Sequence, residues 1–550
     1  MRAPFLFGLL IALFLAAPSP KAQTTDPISA AIAERVQDND GRWAEAGDAR
    51  QIAMIIDYDA DGYRPVWVDS AGITAKGRAL VSIFENSHAD GLYPADYVTP
   101  ELSAAMAATD TAGLADLDVR LSFALLNYAH HIRAGRVEPS VINSDLRITP
   151  QGPDMAATLA SARAATDMTA FGASLAPPGP RYARLKAGLA LYRKLAEAGG
   201  WTQVPGPTAA KSLKPGMSDP MVPSLARRLV ESGHLDQAAY DFTVASTLYE
   251  GPLVDAVKRF QDSLALEIDG VIGPNTLGQI NITAEERVTQ IEVNLERRRW
   301  MSDDLGDYYI FVNLADQYLK VVKRIVKDGK TREKTLHAAR AVVGKTYHAT
   351  PVFTEQMTYM VLNPNWNVPY SIATKEYLPK LLSNPGALAA QNIRVLSGGQ
   401  EISPYSVHWA SYSRGNFPFR LQQASGPRNA LGRVKFMFPN KYNIYIHDTP
   451  SKSLFDKASR VFSHGCVRVQ DPLTLAEVLL EPQGVSRAEI DAMVARGKRR
   501  VVKLTTPIPV HITYLTAWVN KDGSVHFRRD VYGRDAILAK ALQRVGTAAN

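Results

Sequence analysis

From about residue 26 to residue 200, apolar side chains recur every three or four positions in Ala-rich segments, the spacing of amphipathic helices. VRLSFALLNYAHHIRAGRV (119–137) is a clear case. Its adjacent His130 and His131 point to different helix faces, which argues against a shared metal site. DYDADGYRPVWV (57–68) opens like a calcium loop, with Asp57, Asp59, Asp61 and Gly62. Val68 stands at its twelfth position, where a bidentate Glu is needed, so a turn into a strand is expected instead. Pro and Gly cluster at PPGP (177–180) and at VPGP and LKPG (204–216), marking a linker. A short helical unit follows, with Val222, Leu225 and Leu229 on one helix face and Val257, Phe260 and Leu264 on another. From Tyr308 the period shortens. YYIFVNL (308–314), a turn at Ala315-Asp316 and QYLKVVK (317–323) predict a β-hairpin, and strand-like runs continue to PIPVHITYLTAWV (507–519). Between about Pro369 and Gly426 the strand pattern lapses. Such a long interruption inside a domain predicts a functional insertion, a mobile lid with Gly398, Gly399 and Gly415 as hinges.

A chain of 550 residues exceeds one compact core, so two to four domains are expected. With 46% hydrophobic and 21% charged residues it is globular rather than disordered. A net charge of +8 over this length is mild. It suits an anionic partner rich in carboxylates, and no concentrated basic stretch points to nucleic acid. The opening MRAPFLFGLLIALFLAAPSPKAQ changes the picture more. Arg2, the uncharged run from Phe5 to Ala17 and the small residues before Ala22 predict a secretory signal peptide over 1–22; an uncleaved anchor is the alternative. Export makes the single cysteine informative. It has no internal disulfide partner, so it is either an inert core residue or a working thiol.

IYIHDTPSKSLFDKASRVFSHGCVRV (444–469) favours the working thiol, because it places His447 nineteen residues before Cys466. A thiol of ordinary pKa is mostly protonated at neutral pH and needs a basic or cationic neighbour to become a nucleophile. Two strands joined by this loop can bring His447 to Cys466, whose thiolate an imidazolium would then stabilise. Gly465 allows close approach of substrate, and its amide with that of Cys466 is expected to form an oxyanion hole. Arg468, two residues beyond the cysteine, shares its strand face and either holds a carboxylate or forms a structural ion pair. His464 also shares that face, but its side chain runs alongside the thiol rather than meeting it.

At these residues a resemblance becomes specific. His447 with Ser463-His464-Gly465-Cys466-Val467-Arg468 resembles the L,D-transpeptidase signature. VGKTYHATPVF (343–353), LNPNWNVPYSI (362–372), NALGRVKFMFPN (429–440) and DVYGRD (530–535) also look like that family. AVKRFQDSLALEIDGVIGPNTL (256–277) resembles the peptidoglycan-binding domain, with Gly270 and Gly273 permitting a sharp turn. PVWVDSAGITAKGRAL (65–80) and DGLYPADY (90–97) resemble the N-terminal scaffold of the large Gram-negative members.

The resemblance implies a multidomain α+β protein. A helical scaffold would span 23–205, a small three-helix peptidoglycan-binding domain 206–285, and a mainly-β catalytic domain 300–505 with a lid over about 370–425. A C-terminal extension, 506–550, would follow. By the same resemblance Cys466 attacks the carbonyl preceding the terminal D-Ala of a tetrapeptide stem, and His447 moves the protons. The Asp448 carbonyl orients His447, while His464, Ser463, Trp366 and Tyr370 shape or line the pocket; Ser463 also suits local hydrogen bonding, and the two aromatics suit core packing. The acceptor is an amine of another stem, a lipoprotein lysine, a free D-amino acid or water. Stem peptides and glycan strands in the periplasm are the implied partners, other cell-wall enzymes are possible ones, carbapenem-type β-lactams are the implied inhibitors, and no cofactor is implied. Two readings from other classes compete: a zinc hydrolase using His447, His464 and Cys466, and a wall-binding protein without catalysis.

Overall fold

The computed structural model describes residues 26–37, 48–208, 210–243, 245–327 and 329–547. The signal-peptide expectation for 1–22 lies outside them. No helix among the described residues is long and apolar enough to cross a membrane. The chain divides into two compact units: one formed by Met1–Ser87, Tyr93–His130 and Pro153–Ala176, the other by His88–Leu92, His131–Gly152 and Pro177–Asn550.

The first unit is helical. Helices Ala49–Ala60, Ala75–Glu85, Met155–Ala164 and Met168–Leu175 bury Met54, Tyr58, Leu80, Phe84 and Leu159. The calcium-like segment is the end of the first of these helices, a left-handed turn at Gly62 and the strand Val68–Asp69. Its register is fixed by Asp118, whose buried carboxylate accepts from the amides of Val66 and Trp67 at 2.9 and 2.6 Å. Burial pushes that carboxylate up to about 6.

The second unit contains the peptidoglycan-binding resemblance and the β region. Helices Val222–Glu231, Pro252–Ser263 and Pro274–Ile280, with a fourth, Gln237–Thr243, between the first two, bury the faces read from sequence. The amide of buried Gln261 knits the turn between them, donating to Asp269 and Val271 and accepting from the Gly270 amide at 2.9 Å. Only Gly270 of the two expected turn glycines is left-handed; Gly273 is extended and caps the next helix. Helix Ala284–Arg299 then packs on Pro180–Glu197, tied by Arg193 to Glu292 at 2.6 Å.

Among the described residues, nine strands form one sheet. Edge to edge they are Val461–Ser463, Lys330–Gly344, Val467–Val469, Ile446–His447, Val434–Met437, Phe353–Leu362, Arg500–Thr513, Tyr308–Asn313 and Tyr318–Lys327. The last also pairs with Lys330–Gly344, so eight strands close into a barrel filled by Val312, Val321, Val343, Met360, Phe436 and Val510 among others. Strand Arg500–Thr513 runs unbroken through the boundary expected at 505, pairing with strands on both sides. Residues 506–513 are therefore part of the barrel, while a separate two-stranded hairpin and helix Arg534–Thr547 follow.

The inserted segment is not a loop. It carries its own four-stranded sheet, in the order Trp366–Asn367, Arg420–Gln423, Ile393–Ser397, Gln400–Ile402. Its own core includes Tyr377, Leu381, Trp409, Phe419 and Leu421. Gly398 and Gly399, expected as hinges, form the two-residue turn of the Ile393–Ser397 and Gln400–Ile402 hairpin, both at positive φ.

Candidate active site

Three neighbouring strands place their pleats in register. Lys435 lies opposite His447, and His447 opposite Arg468. Alternation sends Phe436, Ile446, Val467 and Val469 into the barrel core, where all are fully buried. The opposite face carries Lys435, Tyr445, His447, Cys466 and Arg468, and all five line one cleft of about 1050 Å³. Lys435 Nζ sits 3.8 Å from the Tyr445 ring centroid, and that ring lies 5.5 Å from His447.

The Asp448 carbonyl accepts from His447 Nδ1 at 2.5 Å. A carbonyl only accepts, so Nδ1 carries the proton and Nε2 is left as the basic nitrogen. Asp448 is held in turn: its carboxylate accepts from the amides of Arg433 and Thr449 at 2.8 and 2.6 Å and pairs with Lys452. A Cβ at Gly432 would stand 2.3 Å from that carboxylate, so only glycine fits there.

Cys466 ends a tight loop. Ser463 Oγ donates to the Cys466 carbonyl at 2.5 Å and accepts from the Gly465 amide at 3.1 Å. Ser463 is thereby a buried loop brace, the local hydrogen bonding its residue type suits, at the lining of the cleft. The same bond corrects the expected oxyanion hole. Of the two expected donors, the Gly465 amide is already used by Ser463, which leaves the Cys466 amide. Gly465 adopts φ +107°, which L side chains rarely allow.

A relay from the C-terminal segment holds this loop. Thr350 Oγ1 donates to the Gly465 carbonyl at 2.8 Å and accepts from the Gly344 amide at 3.0 Å. Tyr532 hydroxyl donates to the Gly344 carbonyl at 2.8 Å, and its ring stacks on Tyr514 at 5.4 Å. Tyr532→Phe is expected to destabilise the fold by about 1–3 kcal/mol, because a buried acceptor loses its donor. Denaturant titration measures this; unchanged stability and unchanged Cys466 labelling would show the relay to be idle.

Charge in the cleft differs from a thiolate–imidazolium pair. Burial, with the positive charge of Arg468 next and that of Lys435 also opposed, pushes His447 down to about 3. Burial also pushes the Cys466 thiol up, while Tyr445, Lys435 and Arg468 pull it back part of the way. Both groups are neutral at pH 7. The thiol donates to the Asn443 carbonyl at 3.7 Å, and no hydrogen bond joins it to His447. Arg468 keeps its Nε buried without a partner among protein atoms.

His464 turns away from the thiol. Its Nε2 lies 2.6 Å from Glu376 Oε1, and its ring 5.2 Å from His348. His447, His464 and Cys466, the ligands of the competing zinc reading, form no cluster of metal-binding side chains among the described residues. Trp366 and Tyr370 line the cleft from the insertion; Trp366 packs edge-on to Tyr377, and Tyr370 hydroxyl donates to the Arg414 carbonyl at 2.7 Å. Sequence reasoning missed Lys435, Tyr445 and Tyr532. All three lie in segments whose resemblance was noted, and Lys435 alternates in a strand with core residues, the one signal that marked its face.

The chain thus combines a barrel bearing this face, a four-stranded insertion, a small helical module and a helical N-terminal unit. Family models match accordingly: the scaffold domain over residues 54–189, the "Putative peptidoglycan binding domain" over 218–280, and the L,D-transpeptidase catalytic domain over 307–510. Residues 307–510 are thus similar to the L,D-transpeptidase catalytic domain. A curated protein of Haemophilus influenzae, named "Putative L,D-transpeptidase", is 32% identical over 258 residues, which is 46% of this chain and 50% of that protein. The chain thus spans about half the length of the curated relative it matches. A crystal structure of a fused Zn-dependent amidase/peptidase/peptidoglycan-binding domain-containing protein from Clostridium acetobutylicum aligns at 12% identity. It covers 56% of this chain and 99% of its own, and its TM-score of 0.15 carries no argument.

Proposed function

We propose that this protein is an exported enzyme that cross-links peptidoglycan through a Cys466 thioester. The observation that carries the reading is the unprotonated His447 Nε2, fixed by the Asp448 carbonyl, on the cleft face shared with the only cysteine. In the first step Sγ attacks the carbonyl preceding the terminal D-Ala of a tetrapeptide stem, and the thiol proton passes to His447 Nε2. The Cys466 amide and the nearby positive charges of Lys435 and Arg468 stabilise the oxyanion. The C–N bond then breaks, D-Ala leaves as an amine carrying the His447 proton, and a thioester remains. In the second step an amine of another stem attacks the thioester; His447 takes its proton and returns it to Sγ. Arg468, with a buried unpaired Nε, holds a stem carboxylate. Residues 218–280 bring the chain to the wall, and the leader at 1–22 delivers it to the periplasm.

The test supplies the full chain with disaccharide-tetrapeptides and follows products by mass spectrometry. Dimers formed with loss of one D-Ala and joined through third residues are expected. Tripeptides alone would make water the acceptor, and absence of any thioester intermediate would end the proposal.

A further inference from the structure

A second cavity, of about 510 Å³, lies away from Cys466. Helix Pro180–Glu197, the end of helix Ala284–Arg299, three barrel strands and the segment 515–522 enclose it. Its walls combine apolar side chains such as Leu185, Phe311 and Val322 with the guanidinium of Arg298.

Arg298 stands out within its own helix. Arg297, Arg298 and Arg299 are consecutive and all buried. Arg297 reaches Asp535 at 2.5 Å, and Arg299 reaches Glu296 at 3.0 Å. Arg298 is only 7% exposed, and its Nε and Nη1 find no hydrogen-bond partner among protein atoms. Nearby acids are already engaged. Glu333 accepts from Arg181 at 2.7 Å and from Tyr309 at 2.8 Å, while Asp303 pairs with Arg133. Burial accordingly pushes the Arg298 guanidinium below its ordinary value. A buried cation is tolerated when a counter-charge completes it; Asp303 and Glu333 act on Arg298 from nearby, but among the described residues no carboxylate bonds it directly.

We infer that this cavity binds a small organic carboxylate, with the carboxylate forked on Arg298 and an apolar body against Leu185 and Phe311. The planar guanidinium matches a carboxylate through two parallel hydrogen bonds. The cavity also holds Arg184, Lys320 and Lys521, so its lining favours an anion, and the volume suits a ligand about the size of a blocked amino acid or dipeptide. The inference does not rest on the reading of Cys466.

Equilibrium dialysis tests it on the full chain with Cys466 alkylated by iodoacetamide, which keeps the other cleft from competing. The probes are N-acetyl-leucine, its neutral amide and inorganic phosphate. The acid is expected to bind at least about tenfold more tightly than the amide, since only the acid makes charge-assisted bonds. Arg298→Met should erase that preference, and Arg298→Lys should weaken it, because a point charge lacks the fork. Without probe, Arg298→Met should melt no lower than the parent, since an apolar isostere replaces an uncompensated charge. Equal binding of acid and amide by the unsubstituted protein, or preference for phosphate, would overturn the inference. So would acid binding that survives Arg298→Met, or a lowered melting temperature of that variant, which would mark Arg298 as purely structural.

Discussion

Cys466→Ala is expected to abolish acyl-enzyme formation, with a rate loss on the order of 10⁶-fold, the size seen when a covalent nucleophile is removed. No other residue can substitute, because the chain holds one cysteine. The side chain is half-buried, makes a long bond to the Asn443 carbonyl and is also hydrogen-bonded by Tyr445. Its replacement should therefore change stability by less than about 1 kcal/mol. Incubation with a carbapenem-type β-lactam followed by intact-protein mass gives the measurement: one adduct on the parent, none on the variant. An adduct on a folded Cys466→Ala protein would remove Cys466 from the centre of the mechanism. The absence of an adduct on the parent would favour wall binding without catalysis.

Much of this was legible in the sequence, and the reasons are local. Helix faces such as Val222, Leu225 and Leu229 are read from period, and burial follows period. The Cys466 segment is read from chemistry, because a lone thiol close in sequence to histidines suggests a nucleophile. What stayed hidden depends on long-range placement. The strands of the insertion were missed because they are short, and their sheet is completed by Trp366–Asn367 from before the break in pattern. Lys435 was missed because only strand register brings it opposite His447. The Gly465 amide was assigned to an oxyanion hole because nothing in Ser-His-Gly-Cys announces that Ser463 folds back onto it. Charge state was also out of reach, since it depends on how deeply the barrel face sits beneath the insertion.

That charge state changes what replacing the histidines should do. Sequence reasoning makes His447 a cation that stabilises the thiolate, so its loss would raise the thiol pKa. With His447 pushed down to about 3, the ring is neutral throughout the working range, and removing it removes no positive charge. His447→Ala is therefore expected to slow carbapenem acylation by about 10²–10⁴-fold, the usual share of a general base. The pH profile of Cys466 alkylation should stay nearly in place. Lys435→Met should behave in the opposite way. The Lys435 charge is one of the influences that lower the thiol pKa, so its loss disfavours the thiolate and moves the alkylation midpoint to higher pH. In the parent that midpoint already lies above the ordinary thiol value of about 8.5, because burial is the largest influence on Cys466. His464→Ala should shift neither quantity strongly, since its ring is engaged with Glu376 rather than the thiol. Stopped-flow acylation and iodoacetamide labelling across pH, on variants shown to be folded, separate these outcomes. A large rise in alkylation midpoint for His447→Ala would mean that the imidazole is charged at rest. A rate loss for His464→Ala as great as for His447→Ala would mean that the base has been assigned to the wrong ring.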